Sequence, residues 1–280
     1  AQGTPVADPY DQTRSTSFTY YGAADGVLNG LLKSETVEPG NAQLCVTTTY
    51  SYDSYGNRIR ASTANCTGAT GLAAFAERAT SSAFAAQTVT VAGVANVVIP
   101  AGAFAVTASN ALNQSENREF DPRFGVLTSL TGPNGLTTRW TVDNFGRKTM
   151  ELRADGTRTL SAYCYISGRI DGNPLSSNSA TSNGDPLDCP SPGTDEIPAG
   201  AAMFVHTEPH DNSAVLGAKN GTFARAYSDR AGRKIRSVTE AFDGALQPGG
   251  ASRLIVQDTD YDQYGALTVS TQPYFLDTCA

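Results

Sequence analysis

One short phrase recurs along the 280-residue chain and constrains its fold more than any other feature. It places an aromatic residue before Asp, then two residues, Gly and, in most copies, a polar or basic residue. The five copies read YSYDSYGNR from 50, FDPRFGVL from 120, VDNFGRK from 142, YSDRAGRK from 227 and YDQYGAL from 261. Asp can accept a hydrogen bond from the backbone N–H two residues on, and Gly supplies a positive φ. Each copy therefore predicts a hairpin turn.

The residue before Asp points to the opposite face of its strand, so the phrase also predicts one buried ring for each turn. Two copies depart from the pattern, because Val142 replaces the aromatic and YSD carries one inserted residue. We expect their turns to form and their ring contacts to differ. The residues assigned to the motif are Tyr52, Asp53, Gly56, Phe120, Asp121, Gly125, Asp143, Gly146, Tyr227, Asp229, Gly232, Tyr261, Asp262 and Gly265.

Turn signals also follow each other closely between residues 121 and 156. FDPRFG, GPNG, VDNFG and RADG are separated by about ten residues, and stretches such as LTTRWTV at 136–142 alternate in polarity, which is typical of a β-meander. The chain contains 27 Gly and 14 Pro, and long helix-forming stretches are scarce. The sequence predicts an all-β fold built from successive antiparallel hairpins.

The strand register is open by one residue. Without a bulge, the first hairpin makes the pairs Asp53–Arg58, Tyr52–Ile59, Tyr50–Ala61 and Cys45–Cys66. In the copy at 142–148, a bulged register makes better pairs, namely Val142–Met150 and Trp140–Leu152.

The five cysteines stand at positions 45, 66, 164, 189 and 279. We predict a Cys45–Cys66 disulfide, whose loop of roughly twenty residues would contribute about 3 kcal/mol in the chain-entropy model. Cys164 and Cys189 flank a loop-like stretch and are the next candidate pair, which leaves Cys279 free. Five free cysteines are the alternative, and an oxidising compartment distinguishes the two.

Two stretches break the hairpin pattern. Residues 67–105 are rich in Ala, with a short helix predicted near 71–79 and a strand near 88–99. Residues 171–202 are rich in Ser, Asn, Pro and Gly, and we interpret them as a long surface excursion or a subdomain boundary.

The charge balance argues against nucleic acid as a partner. The net charge is −7 and the pI is near 4.8, whereas phosphate contacts depend on Lys and Arg. Arginines 58, 60, 147, 233 and 236 stand near turn residues, where local pairing is the expected use. We expect no membrane span, because no run of 18 apolar residues occurs. No export signal is visible at the N-terminus, and both a removed signal and an upstream one remain open.

The search for chemistry nominates no catalytic residue, metal or cofactor. His206 and His210, with Glu208 between them, share a face, but no third ligand is evident and Pro209 disfavours a helix interior. Asp258, Asp260 and Asp262 resemble the start of a calcium loop that then lacks its Gly and Glu. DPRFGVL resembles a self-cleavage signature, yet its spacing differs and we interpret it as a turn. No GxSxG, GxxxxGK[ST] or HExxH occurs.

The repeated phrases resemble the Rhs (rearrangement hot spot), or YD-repeat, family. YDSYGNR, FDPRFGVLTSLTGPNGLTTRWTVDNFGRK and YDQYGAL carry the resemblance, which is weakest at 67–105 and 171–202. It implies a strip of hairpins wound into a hollow shell, which in bacterial polymorphic toxins and insecticidal toxin complexes commonly encloses a toxin domain. The related barrel of teneurins acts in cell adhesion. Complete shells are much longer than this chain.

The expected function is therefore that of a non-catalytic shell segment, residues 1–280, which helps to enclose and deliver a toxin or effector domain. Its partners would be the remaining repeats and that domain, and its location would be extracellular or at a cell surface. One alternative is a module that binds carbohydrate or a cell-surface partner. Another is an enzyme that uses the 171–211 region, with His206 or Asp211 in its activity. Asp53, Arg58 and Arg60 are predicted to face outward, and Tyr50, Tyr52 and Ile59 to pack against neighbouring layers.

Overall fold

The computed structural model confirms the predicted fold class. Seventeen strands form one antiparallel sheet and two more form a separate hairpin. The structure describes residues 14–276 except 72–73, 92, 167–186, 188, 194, 213–218 and 242–252. The chain divides into two compact units, one of residues 1–125 and 130–135 and the other of residues 126–129 and 136–280. Among the described residues, no helix is both long and apolar enough to cross a membrane.

The first unit contains nine strands and one short 3-10 helix, Ala23–Leu28. Neighbouring strands pair in the order β1-β2-β3-β4-β5-β8-β9, and β6 pairs with β7. The strands are β1 Thr16–Tyr20, β2 Leu32–Val37, β3 Val46–Tyr52, β4 Arg58–Asn65, β5 Arg78–Ala83, β6 Gln87–Val91, β7 Val94–Ile99, β8 Thr107–Ser109 and β9 Ser115–Asp121.

The second unit pairs its strands in chain order from β11 to β17, and both β18 and β19 pair with β17. Strand β10, Val126–Thr131, is divided between the units. The others are β11 Thr137–Val142, β12 Lys148–Leu152, β13 Arg158–Tyr165, β14 Met203–His210, β15 Ala224–Ser228, β16 Lys234–Glu240, β17 Leu254–Tyr261, β18 Leu267–Ser270 and β19 Tyr274–Leu276.

Neither predicted register holds beside its turn. In the first hairpin Tyr50 pairs with Ala61 as predicted, but Tyr52 pairs with Arg58 rather than Ile59. Asp53 bonds backbone to backbone with Asn57, not with Arg58. A bulge at Ile59 restores the predicted register further along, where Cys45 meets Cys66.

The copy at 142–148 is also shifted from its prediction. Trp140 pairs with Glu151 rather than Leu152, and Val142 pairs with Lys148 rather than Met150. The same irregularity follows the turns at Asp229 and Asp262, and in all four copies the extra residue stands six after Asp. The physical reason is that this turn inserts one residue into the returning strand.

The first irregular stretch contains more strand than predicted. The helix predicted near 71–79 is wrong, because Arg78–Ala83 is strand β5 and residues 74–77 have no regular structure; residues 72–73 lie outside the described residues. The single strand near 88–99 is instead the hairpin of β6 and β7. Most of the excursion at 171–202 lies outside the described residues.

The core of the second unit lies on one face of β13–β17, which we call the charged face. Ala162, Cys164, Phe204, Tyr227, Val238 and Val256 form its buried apolar cluster. Large side chains of this kind contribute about 1.5–3 kcal/mol each when fully buried. His206 and Arg225 are buried beside them on the same face, so this core contains ionisable groups that need partners.

In the first hairpin the exposure of five of the six side chains agrees with their predicted orientation, and that of Asp53 does not. Arg58 and Arg60 are exposed, whereas Tyr50, Tyr52, Ile59 and also Asp53 are partly buried. Asp53 is thus less exposed than predicted, because its carboxylate turns back onto the backbone of its own turn.

Candidate functional site

The repeated phrase builds one hydrogen-bonded turn. At Asp53, the backbone N–H donates to the carbonyl of Asn57, and Gly56 N–H donates to the Asp53 carbonyl. One carboxylate oxygen, Oδ1, accepts the N–H groups of Tyr55 and Asn57, both at 2.9 Å. The glycine has φ +84°, which other residues rarely adopt. A short side chain with an acceptor oxygen suits this position, because that single oxygen serves two backbone donors.

Three more copies have the same arrangement. Asp143, Asp229 and Asp262 each accept N–H groups from the residues two and four positions on, and the glycines at 146, 232 and 265 have positive φ. The Asp121 copy differs, because its glycine, Gly125, stands one residue later. Its carboxylate instead accepts the N–H and guanidinium groups of Arg123.

The sequence search missed one member of this set. Asn110 accepts the N–H groups of Leu112 and Gln114, as Asp does elsewhere. Asn113 takes the place of glycine with φ 59°, a conformation that Asn tolerates better than most residues. The phrase S-N-A-L-N-Q would have been found if Asn had been allowed at both positions.

The basic residue after glycine links one hairpin to the next. Arg147 binds the Asp143 carboxylate through Nε at 2.6 Å and lies 4.3 Å from the ring centroid of Tyr163. Tyr163 in turn donates its hydroxyl to the carbonyl of Lys148 at 3.2 Å. The sequence D-x-x-G-R-K thus joins its own turn to the following strand.

The second D-x-x-G-R-K copy repeats this link. Arg233 binds Asp229 at 2.7 Å and lies 5.1 Å from the ring centroid of Tyr261, whose hydroxyl donates to the carbonyl of Lys234 at 3.2 Å. Hydrogen bonds from Arg233 and the backbone keep the pKa of Asp229 below its usual value. In the Asp262 copy Ala266 replaces Arg, so this turn lacks the link.

A chain of buried polar groups runs across the charged face. Arg225 donates to both carboxylate oxygens of Glu196 at 2.6 Å and, through Nε, to Nδ1 of His206 at 3.2 Å. Tyr227 donates its hydroxyl to Glu196 at 2.8 Å. His206 Nε2 lies 2.9 Å from Glu208 Oε1, and His210 Nε2 lies 3.2 Å from Glu208 Oε2. We call these six residues the buried polar cluster.

The geometry fixes the protonation of the central histidine. Nδ1 of His206 accepts from Arg225, so the ring proton is on Nε2 and points to Glu208. Burial, and then the charge of Arg225, lower the pKa of His206, although Glu208 opposes the shift. Burial alone would raise the pKa of Glu208, but its hydrogen bonds to the histidines hold it below its usual value. Burial and the neighbouring Glu196 carboxylate raise the pKa of Tyr227 well above its usual value.

A returning segment, residues 195–201, covers this cluster. It carries Glu196, and Arg236 donates to the carbonyls of Asp195 and Glu196, both at 3.0 Å. Arg236 also pairs with Asp258, which lowers the pKa of that carboxylate. Just before the segment, Cys189 forms the predicted disulfide with Cys164 on β13, and Cys45–Cys66 is the other disulfide. Cys279 lies outside the described residues.

The histidine pair considered as a metal site is otherwise engaged. Both rings contact the carboxylate of Glu208, and Arg225 occupies the second nitrogen of His206. Within the described ranges, no group of three or more His, Cys, Asp or Glu side chains is arranged to hold a metal ion. Asp258 serves Arg236 and Asp262 serves its turn, so neither is arranged for calcium.

The comparisons with known proteins identify no family. The sequence matches no protein-family model and no curated protein. Among solved structures, the fold resembles a chain of the Photorhabdus luminescens Tc holotoxin pore, determined with a TccC3 mutant, with 14% identity and a TM-score of 0.40. The alignment covers 96% of this chain and 13% of that chain. This likeness is too distant to assign a function.

Proposed function

We propose that this chain is part of a YD-repeat (Rhs) wall that encloses and helps to deliver a toxin or effector domain. The observation that carries the proposal is one turn, built by the same Asp and Gly contacts in four hairpins and linked to the next strand by Arg in two. Such a device serves a sheet that grows by adding hairpins. It leaves the side chains in structural roles, and we propose that the segment is not an enzyme.

The first strand of the first unit, β1, supports a sheet that continues. All five residues of β1 are exposed, its sequence TSFTY has no charge or proline, and Phe18 is 50% exposed. Natural edges are usually protected by charge, proline or a covering segment, because an open edge recruits other strands. Strand β1 itself carries neither charge nor proline, so it is suited to pairing with a further strand.

The last strands of the second unit are also exposed and lack charge. No charged residue occurs from Gln263 to Leu276, and Leu267 and Val269 on β18 are 61% and 49% exposed. We propose that these edges contact the remaining repeats of the wall. The two disulfides favour an oxidising, extracellular environment for it.

The assembly itself provides the test. We expect electron cryomicroscopy of the complex isolated through this chain to show an enclosed space and a protease-protected polypeptide inside it. The double substitution Leu267→Lys and Val269→Lys should abolish the assembly, because it puts charge on the β18 edge. Leu112→Lys is the matched control, since Leu112 is 76% exposed in a turn of the first unit. A compact particle with a filled centre would contradict the proposal.

A carbohydrate or cell-surface binding module is the second candidate. It is favoured by exposed rings at three equivalent turn positions, where Tyr55, Phe145 and Tyr264 are 66%, 68% and 87% exposed. Flat exposed rings are suited to stacking on sugar faces. Glycan binding that is lost in Tyr264→Ala, with the fold intact, would favour this candidate over the wall. Hydrolytic activity abolished by His206→Gln or Asp211→Asn would instead support an enzyme.

A further inference from the structure

A cavity of about 640 Å³ lies beside the Asp229 turn of the second unit. Its apolar walls come from Ile166, residues 197–198 and 200–202, and Ala231, and three charged residues of the turn complete the lining. Backbone hydrogen bonds fix them, since Ile166 N–H donates to Ala202 at 2.9 Å and Ala202 N–H donates to Ser228 at 2.8 Å. Cavities of roughly 300–1,000 Å³ with apolar walls and few polar groups are typical of sites for small ligands.

Of the charged side chains at the cavity, Arg230 has no partner among the described residues. Asp229 and Arg233 line it but bind each other at 2.7 Å, and Arg233 also stacks on Tyr261. Arg230 lines the same cavity, is exposed, and makes no ion pair or hydrogen bond with any other described side chain. A guanidinium that has no partner among the described residues and lies beside apolar walls suits a carboxylate, which it can bind through two parallel hydrogen bonds.

The turns at Asp53, Asp143 and Asp262, which we call the sister turns, differ from the Asp229 turn at the residues that line the cavity. Directly after Asp, the other copies have Ser54, Asn144 and Gln263, none of them charged, where this turn has Arg230. At the next position they carry the rings of Tyr55, Phe145 and Tyr264, where this turn has Ala231. At this turn the small side chain of Ala231 borders the cavity and Arg230 supplies charge, while the Asp and Gly contacts of the turn are unchanged.

We propose that this cavity binds an apolar group that carries one carboxylate. Two sources share this chemistry, a free medium-chain carboxylic acid and the free C-terminus of an apolar polypeptide. In either case the apolar part packs on Ile197, Ala201 and Ala231, and the carboxylate pairs with Arg230. The site does not depend on the wall proposed above, because every contact lies within the second unit.

Isothermal titration of the whole 280-residue chain tests the site with octanoate, below its micellar concentration, and with octylamine as the cationic counterpart. We expect saturable binding of octanoate alone. The source is resolved by the peptide acetyl-Ala-Leu-Leu, with a free C-terminus in one arm and an amidated one in the other. Tighter binding of the free-acid peptide than of octanoate assigns the cavity to a chain end, and the reverse order assigns it to a free acid.

Two variants complete the test. Arg230→Gln should weaken octanoate binding about tenfold or more, since a hydrogen bond to a charged group contributes enough for that change. Ala231→Tyr should abolish binding because it restores the sister-turn ring, and the sister turns show that this residue fits the fold. Arg139→Gln is the matched control, since Arg139 is exposed on β11 and pairs with no described side chain. Equal binding of octanoate and octylamine, unchanged binding in Ala231→Tyr, or no saturable binding by the folded chain would overturn the proposal.

Discussion

The two disulfide-closed regions of the molecule use similar covalent links for different purposes. Cys45 and Cys66 close a plain hairpin, β3–β4, whose charges face solvent and whose Arg60–Glu77 pair is about half exposed. Cys164 and Cys189 hold the start of a segment that carries Glu196 onto buried Arg225 and Tyr227. The ion pair of the first region is exposed to solvent, whereas the ion pair of the second region is buried and depends on a distant segment that carries Glu196. Sensitivity to substitution should therefore differ between them.

The largest expected difference comes from removing one partner of a buried ion pair. Arg225→Met leaves Glu196 buried without its partner, and we expect a loss of about 3–5 kcal/mol in the free energy of unfolding. Arg60→Met in the exposed pair should cost about 1 kcal/mol or less. Urea unfolding, followed by hydrogen exchange in β14–β15 and β3–β4, measures both. The double variant Arg225→Met and Glu196→Leu should recover much of the loss, and equal costs at the two sites would break the comparison.

The disulfides come next in size. Sequence separations of 21 and 25 residues predict about 3 kcal/mol for each bond in the chain-entropy model, so Cys→Ser pairs should cost similar free energies of unfolding. Their side effects should differ. Loss of Cys164–Cys189 should raise proteolysis at residues 189–201, whereas loss of Cys45–Cys66 should leave that segment protected. Mass spectrometry of limited digests distinguishes the two, and identical cleavage patterns would contradict the assigned role of the second bond.

A smaller effect concerns the turns. Asp143→Ala removes two backbone acceptor contacts and the partner of Arg147, and should cost about 1–2 kcal/mol. Asp53→Ala should cost less, because Asn57 is neutral and also bonds to the Gly102 carbonyl. Thermal unfolding compares them, with Asp155→Ala as a control in a turn whose first residue is Arg153. A larger loss at Asp53 would show that the Arg link adds nothing.

The smallest expected effect is a pH dependence confined to the second unit. Because the folded-state pKa of His206 is lowered, the unfolded chain takes up the proton first, and stability falls as pH drops from about 6.5, the ordinary His value. One imidazole contributes at most about 1.4 kcal/mol per pH unit. Both histidines of the chain, 206 and 210, belong to the second unit, so β3–β4 should show no such slope. The single tryptophan, Trp140, reports unfolding, and His206→Gln should flatten the slope.

Most of the fold could be predicted from the sequence because it is determined by contacts between residues close in the chain. Asp53, Gly56 and their equivalents set turns within five residues, and the meander pairs neighbouring strands. The bulge at Ile59 could not be predicted, since it depends on which backbone N–H groups donate to the Asp53 carboxylate. The contact of Glu196 with Arg225 was also missed, because 29 residues separate them and no periodicity relates them. His206 was noticed, but its partner Arg225 lies on another strand, which only the pairing of β14 with β15 brings near.

The bulge six residues after Asp has a consequence for how such a chain can change in length. The hydrogen bonds that define the turn lie between Asp and the fourth residue after it, and the bulge involves only the adjacent residues of the same two strands. The turn and its bulge are therefore kept together when a whole hairpin is duplicated or deleted. A gain or loss of one residue inside that span would instead turn every later side chain of the strand to the other face. Insertion of a whole hairpin at a strand end should therefore be tolerated at positions where insertion or deletion of a single residue disrupts the fold. This architecture can therefore gain or lose whole hairpins more easily than single residues.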